Sequence, residues 1–535
     1  MFDIIIHNST IIDGTGKNRY KSDLGILNGK ISAIGDLKHT KAKRIINAEN
    51  LIVSPGFIDM HTHSDVSLLV DPGGESKAYQ GVTTEVTGNC SYSTFPAGKA
   101  GPEKLQDFIG QTLVSNKTWK WSTLDDWAND LESNGISINV VPQLGQAALQ
   151  IASGATEDRP ATDTEMKEMK YLAAQAIEQG AYSLSTGLSV APSAYSSTEE
   201  IIELCKSISH YPGVFYVTHA RVNTGNNLVP IEEAIEIGVN SNIPVQFSHL
   251  AITDRRLYGQ GESMINLFEK ASESGLDITY DMYPYTAAGA GLNQTIPLWA
   301  QAGTMDKYMS RLKNPSTRKK IRDEVAAGIG GISPLWDTWK IAYINNESNK
   351  HLLGLSVEEI AKERNVEPAE AVLQLVEEEK GSVPTRVHNR VEGDVRYFMS
   401  HKLGMIGSDG RAMSTDGFYK KALPHPRYYG THPRILGRYV RQKPSVLTLE
   451  DAIYKMTGFP SQRLNLSDRG IIEIGKIADL VIFDPETVID KATFENPHQY
   501  ATGIPFVIVK GVPIVDNGLH TQARPGKVLR RGQKN

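Results

Sequence analysis

At 535 residues the chain is longer than one hydrophobic core usually supports, so a large domain with a smaller companion is expected. Hydrophobic residues make up 40% and charged residues 22%, which excludes wholesale disorder, and 56 Lys+Arg against 61 Asp+Glu leave a net charge of −5. That balance gives no electrostatic footprint for nucleic acid or an anionic membrane, and no apolar run reaches the roughly 18–20 residues that span a bilayer.

The opening MFDIIIHNSTIIDGTG has neither a basic leader nor a long apolar stretch, so it reads as strand and turn rather than as a secretory signal. Cys90 and Cys205 make no disulfide framework, and the expected compartment is the reducing cytoplasm. Residues 1–54 alternate short apolar runs with turn signals, and Asn28-Gly29 marks a hairpin. The same texture returns in GIIEIGKIADLVIFDP and FVIVKGVPIVDNG. Residues 1–54 and 466–520 are therefore expected to build one small β domain from both ends of the chain.

The middle, 55–465, has another rhythm. Eight short apolar runs end in polar residues: GFIDMH, VTTEVTGNC, INVVPQLG, AYSLSTG, VFYVTH, VQFSH, LDITYDMYPY and MIGSD. Helix-like segments such as TEMKEMKYLAAQAIEQG and STEEIIELCKSI separate most of them, with acidic first turns. This alternation predicts a (β/α)8 barrel of the TIM type, an α/β fold. No Gly-x-Gly-x-x-Gly supports the alternative of a doubly wound sheet. The gap from Tyr285 to Asp409 is too long for one crossover, so a lid is expected at about 287–345, with helices after it. Cys205, inside IIELCKSI, reads as packing. The basic tail RPGKVLRRGQKN reads as a mobile end.

The chemistry lies at the strand ends. His61 and His63, two apart on a strand, point to one side. Cys90, His219, His249 and Asp409 close four further runs. In a barrel such ends converge on one mouth, where barrel active sites sit. Imidazole, thiolate and carboxylate together suit Zn²⁺, with other divalent metals as alternatives. No serine nucleophile is needed, and Ser185 in LSTG is given no catalytic role.

PGFIDMHTHSD, the later His219 and His249, and GSDG at 407–410 resemble the amidohydrolase superfamily. GVTTEVTGNC, LSTGL, YVTHAR, PVQFSHL, DMYPYTA, HPRYYGTHPRILGRYVR, DRGIIEIGKIADLVIFDP and the ending PGKVLRR are similar, in order, to the N-acyl-D-amino-acid deacylase (D-aminoacylase) family within it. The resemblance implies one tightly bound zinc on Cys90, His219 and His249. It implies a second, weaker divalent position faced by His61, His63 and Asp409, with the cysteine in the role that a carboxylated lysine plays elsewhere. It makes Asp409 the proton shuttle, the insertion a mobile lid, and Arg427 and Tyr283 the contacts for the carboxylate of a small-molecule substrate. Tyr285 reads as packing.

Three positions depart from the family pattern: Ala251 where lysine is frequent, Ser91 after Asn-Cys where glycine is frequent, and Gln146 where a histidine is common. The absent lysine argues against an acidic substrate side chain such as that of D-glutamate. The expected reaction is hydrolysis of N-acyl-D-amino acids. The rivals are another amidohydrolase reaction on a cyclic amide or a dipeptide with a D-residue, and a metal-free scaffold.

Overall fold

The structure is a computed structural model that describes residues 1–110, 112–221, 225–381 and 383–533. Eight parallel strands form the barrel: Phe57–Asp59, Val82–Thr87, Asn139–Pro142, Ser183–Gly187, Phe215–His219, Val245–Phe247, Ile278–Met282 and Gly404–Ile406. They are called the first to eighth barrel strands below. Seven lie within an apolar run, and the eighth starts one residue before MIGSD. Parallel pairs link first to third and fourth to eighth. Leu144 and Gly145, just past the third strand, pair with the fourth, and the Met60 N–H donates to Ile406 O at 3.3 Å across the closing seam. These runs become strands because they are buried on both faces and rich in β-branched residues, as in the wholly buried VTTEVT.

The helices are signed at their starts. Thr162 with Glu165, and Ser197 with Glu200, form capping boxes on Asp163–Glu178 and Thr198–Ile208. Met166, Met169, Leu172, Ala173, Ala176 and Ile177 face the barrel at helical spacing. Cys205 lies fully buried among such side chains. No helix among the described residues is long and apolar enough to cross a membrane.

Both ends of the chain share one nine-stranded sheet. The join is antiparallel pairing of Ile52–Pro55 with Leu480–Phe483. Asn28 and Gly29 turn the expected hairpin with φ of 52° and 74°, the left-handed pair that such a turn requires. Ile4, Ile6, Leu24, Ile26, Leu480 and Ile508 meet in a core of this sheet's own.

The basic tail is not a loose end through residue 533; residues 534 and 535 lie outside the described residues. Val528 bridges Val140 of the third strand, and Leu529 enters the cluster that plugs the barrel interior with Val86, Val141 and Phe215. The arginines are spent on a helix C-terminus: Arg531 donates to Ile177 O at 2.8 Å and Ala181 O at 3.0 Å, and Arg530 to Gln179 O at 3.1 Å. Two apolar residues between arginines were enough to anchor what composition alone marks as solvated.

Between the seventh and eighth strands an inserted unit has its own antiparallel sheet, Ala288–Gly291, Pro384–Val387 and Trp339–Ile341. Its core runs from Leu292 through Leu312, Ile321 and Ile360 to Val372 and Val383. Helices Val357–Arg364 and Pro368–Glu378, which the sequence reading sets after the insertion, pack inside it.

Candidate metal centre

All six expected side chains meet at the C-terminal mouth of the barrel. His61 Nε2 lies 3.3 Å from Cys90 Sγ, and His63 Nε2 3.0 Å from Asp409 Oδ1. His249 Nε2 lies 3.4 Å from Cys90 Sγ and 2.9 Å from His219 Nδ1. Asp409 Oδ1 is 3.8 Å from His61 Nε2. Two groups of ligand atoms, His61–His63–Cys90 and Cys90–His219–His249, each lie within 4.8 Å of one another and share the sulfur. Where strands end, the backbone is bent to aim these groups. Cys90, His249 and Asp409 have φ of 53°, 38° and 51°, a region L-residues enter at a cost and which concentrates at functional sites.

The electrostatics fit a cation. Burial lowers His63 and His219 to about 4 and drives His249, beside His219, well below the usual histidine value. Burial opposes a charged His61, but Asp281 and the Cys90 sulfur outweigh it and hold His61 well above that value. Burial pushes the Cys90 thiol up. Burial also opposes charge on Asp409, yet Arg427 and the His63 bond keep it well below the ordinary carboxylate range. His63 Nδ1 is buried without a hydrogen-bond partner among the described residues. Three imidazoles held neutral, crowded with a charged His61 around a buried thiol, are frustrated alone. A borderline dication such as Zn²⁺ takes just these donors and ionises the thiol. The residues therefore fit the metal.

Arg427 Nη1 stands 2.9 Å from Asp409 Oδ2, and its guanidinium lies 4.6 Å from the Tyr283 ring centroid. The Tyr283 hydroxyl is buried and has no partner among the described residues. Tyr285 packs away from the centre, its hydroxyl donating to Pro426 O at 3.4 Å. Two clefts, of about 230 and 390 Å³, each reach His219, His249 and Asp409.

Residues 44–196 and 404–515 match the amidohydrolase family model. A D-aminoacylase of Alcaligenes xylosoxydans xylosoxydans is 33% identical over 99% of this chain and 98% of its own. This chain belongs to the D-aminoacylase family of amidohydrolases. A solved D-aminoacylase with a binuclear metal centre superposes with a TM-score of 0.84 at 32% identity, covering 99% of this chain and 100% of the other. An N-acyl-D-glutamate deacylase of Bordetella bronchiseptica, solved with zinc and a phosphonate mimic of the tetrahedral intermediate, gives 0.83 at 28%, covering 99% of each.

Sequence reading missed several residues of this D-aminoacylase-family centre. Asp281, at the end of the seventh strand, holds His61 Nδ1 at 3.1 Å and accepts from the His249 N–H at 2.9 Å. An acid ending a strand beside Tyr-Pro-Tyr was the available signal. Below the centre Lys77 Nζ donates to Asp59 Oδ2 at 2.8 Å and Ser408 Oγ at 2.7 Å. Arg390 lies 4.3 Å from the Tyr283 ring centroid, a placement that no sequence signal foretold.

The departures from the D-aminoacylase pattern now have positions. Gln146 donates to Ser196 Oγ at 2.9 Å and accepts from Ser193 Oγ, both in the segment after the fourth strand. Ser91 follows Cys90 with φ of 70°, and its buried hydroxyl has no partner among the described residues. Ser91→Gly is therefore expected to stabilise the fold, by about 1 kcal/mol, since glycine pays no left-handed penalty and leaves no orphan hydroxyl. Thermal denaturation of the metal-free protein measures it; a lower midpoint would show that the hydroxyl has a partner after all.

Proposed function

We propose that the chain is a zinc-dependent hydrolase of N-acyl-D-amino acids, releasing a carboxylic acid and a D-amino acid. The observation that carries this reading is the pair of ligand triads sharing Cys90 Sγ, with Asp409 against one of them and Arg427 against Asp409. Cys90, His219 and His249 would hold the tight zinc, and His61, His63 and Asp409 face a second, weaker divalent position. When bound, the metal supplies a water that is nucleophilic at neutral pH and polarises the amide carbonyl. Asp409 accepts a proton from the attacking water and returns it to the amide nitrogen as the C–N bond breaks. Tyr283 and Arg427 fix the substrate carboxylate, a planar anion that a guanidinium grips well. His61 is oriented by Asp281, which keeps its Nε2 aimed at the centre.

Residues 1–54 with 466–520 act as the small domain, and 55–465 as the barrel. The inserted unit acts as the lid, because Gly289, Ala290, Tyr308 and Arg386 line one cleft and Ile329, Leu335 and Trp339 the other. The net charge of −5 supports a small-molecule partner rather than nucleic acid or a membrane, with the cytoplasm as compartment.

The test is a panel of N-acetyl D- and L-amino acids against hydantoins, with zinc supplied. Selective turnover of the D-acyl series, lost on chelation and regained with zinc, is the expected outcome; turnover of hydantoins alone overturns it. A metal-free protein that gains no activity with zinc supports the scaffold instead. Arg427→Ala is expected to raise KM for N-acetyl-D-amino acids roughly 10–100-fold, the loss of a charge-assisted pair. An unchanged KM would place the carboxylate elsewhere.

A further inference from the structure

Arg390 follows Pro384–Val387, the strand by which the inserted unit returns to the barrel. Its backbone N–H donates to Thr286 O at 3.2 Å, where the unit departs. The side chain enters the larger cleft, which Ala251, Tyr283, His219, His249 and Asp409 also line. Its Nε is buried without a hydrogen-bond partner, and it forms no ion pair with any described residue. The carboxylates of that cleft are already engaged: Asp254 is held by Arg256 at 2.7 Å, and Asp409 Oδ2 by Arg427 at 2.9 Å. What Arg390 touches instead is the Tyr283 ring, at 4.3 Å from its centroid, with Arg427 at 4.6 Å from the same ring.

Two guanidiniums therefore share one aromatic ring on a cleft that holds Asp409, and Arg390 is half-buried there with its Nε shielded from solvent. A partly desolvated guanidinium without a counter-ion carries a cost, and two like charges beside one another add to it. Such an arrangement is retained where a ligand brings the missing charge. An N-acyl amino acid with a neutral side chain brings one carboxylate, which Arg427 and Tyr283 account for. Arg390 remains for a second. The position where the family pattern offers a lysine is Ala251 here, on the same cleft wall, and the small alanine leaves room for a cation arriving from the inserted unit.

We infer that Arg390 is a specificity-determining residue that binds a side-chain carboxylate, so that the preferred substrates are N-acyl derivatives of acidic D-amino acids, D-aspartate or D-glutamate. This rests on the deacylase reading above and names its substrate class. It reverses the expectation drawn from Ala251: the replacement charge comes from a distant part of the chain and is visible only in three dimensions. A half-buried cation that pairs with a carboxylate also discriminates against the uncharged amide, because an amide leaves the guanidinium unneutralised.

The experiment compares kcat/KM of the zinc-loaded full chain on N-acetyl-D-aspartate and N-acetyl-D-glutamate with N-acetyl-D-asparagine and N-acetyl-D-glutamine. The expected wild-type ratio of acid to amide is about 100 or more. In Arg390→Met that ratio is expected to fall to near unity, with the change carried by KM, and in Arg390→Lys to stay above about ten, since the charge is kept but the fork is lost. A wild type that favours the amides overturns the inference, as does an unchanged ratio in Arg390→Met, which would leave Arg390 a packing partner of Tyr283. The wild-type ratio needs no variant to fold. Turnover confined to neutral D-residues sinks this inference alone, whereas no turnover of any N-acyl-D-amino acid sinks the deacylase reading beneath it.

Discussion

Asp409→Asn is expected to keep its zinc and lose turnover by about 10²–10⁴-fold, the usual worth of a general acid–base group. The substitution isolates the proton. Asparagine matches aspartate in shape, and it is among the few residues that tolerate the left-handed backbone found here, φ 51°. The three donors assigned to the tight metal, Cys90, His219 and His249, are untouched. The amide oxygen can still accept from Arg427, which lies 2.9 Å from Oδ2, while the amide nitrogen takes the place of Oδ1, 3.0 Å from His63 Nε2. It cannot take a proton from water and give it to a leaving nitrogen. Metal analysis beside kcat checks both halves. Near-normal turnover removes the role given to Asp409, and lost zinc would make it a ligand of the tight site.

Lys77→Met is expected to destabilise the protein by about 3–5 kcal/mol, the cost of stripping the partner from a buried charge. Lys77 and Asp59 are both fully buried, with Nζ 2.8 Å from Oδ2. The same Nζ reaches Ser408 Oγ at 2.7 Å, and the Ser408 N–H donates to Asp59 Oδ1 at 2.7 Å. This triangle ties the first barrel strand to the residue before Asp409, so the loss also loosens the proton carrier. Adding Asp59→Asn removes the orphaned charge and is expected to restore part of the stability, because losing both charges costs less than losing one. Chemical denaturation of the single and double variants measures it. A single variant within 1 kcal/mol of wild type would mean that water enters the cluster and solvates Asp59.

The barrel was legible because its strands end in the residues that do chemistry. His61, Cys90, His219, His249 and Asp409 each close an apolar run, with His63 two residues past the first, and closing a parallel barrel forces such ends together. Lys77 was illegible for the opposite reason. In Glu-Ser-Lys-Ala-Tyr-Gln it reads as a surface lysine, and only the approach of Asp59 and Ser408 makes its burial tolerable. Arg390 depends on how the inserted unit returns to the barrel, which no local pattern encodes. The extent of that unit was hidden likewise: the helices Val357–Arg364 and Pro368–Glu378 carry the same amphipathic signature whether they coat the barrel or fill a separate core. The tail misled because charge count outweighed the pair Val528 and Leu529.

The shared sheet sets an order on biosynthesis. Ile52–Pro55 leaves the ribosome with one edge unpaired, and its partner Leu480–Phe483 is translated only after the entire barrel. Val528 and Leu529, which finish the third strand's neighbourhood and the barrel plug, come later still. An open strand edge held through that interval invites pairing with other nascent chains. Emergence of Leu480–Phe483 and then of Val528 and Leu529, rather than emergence of the first half, is the moment at which this fold can close.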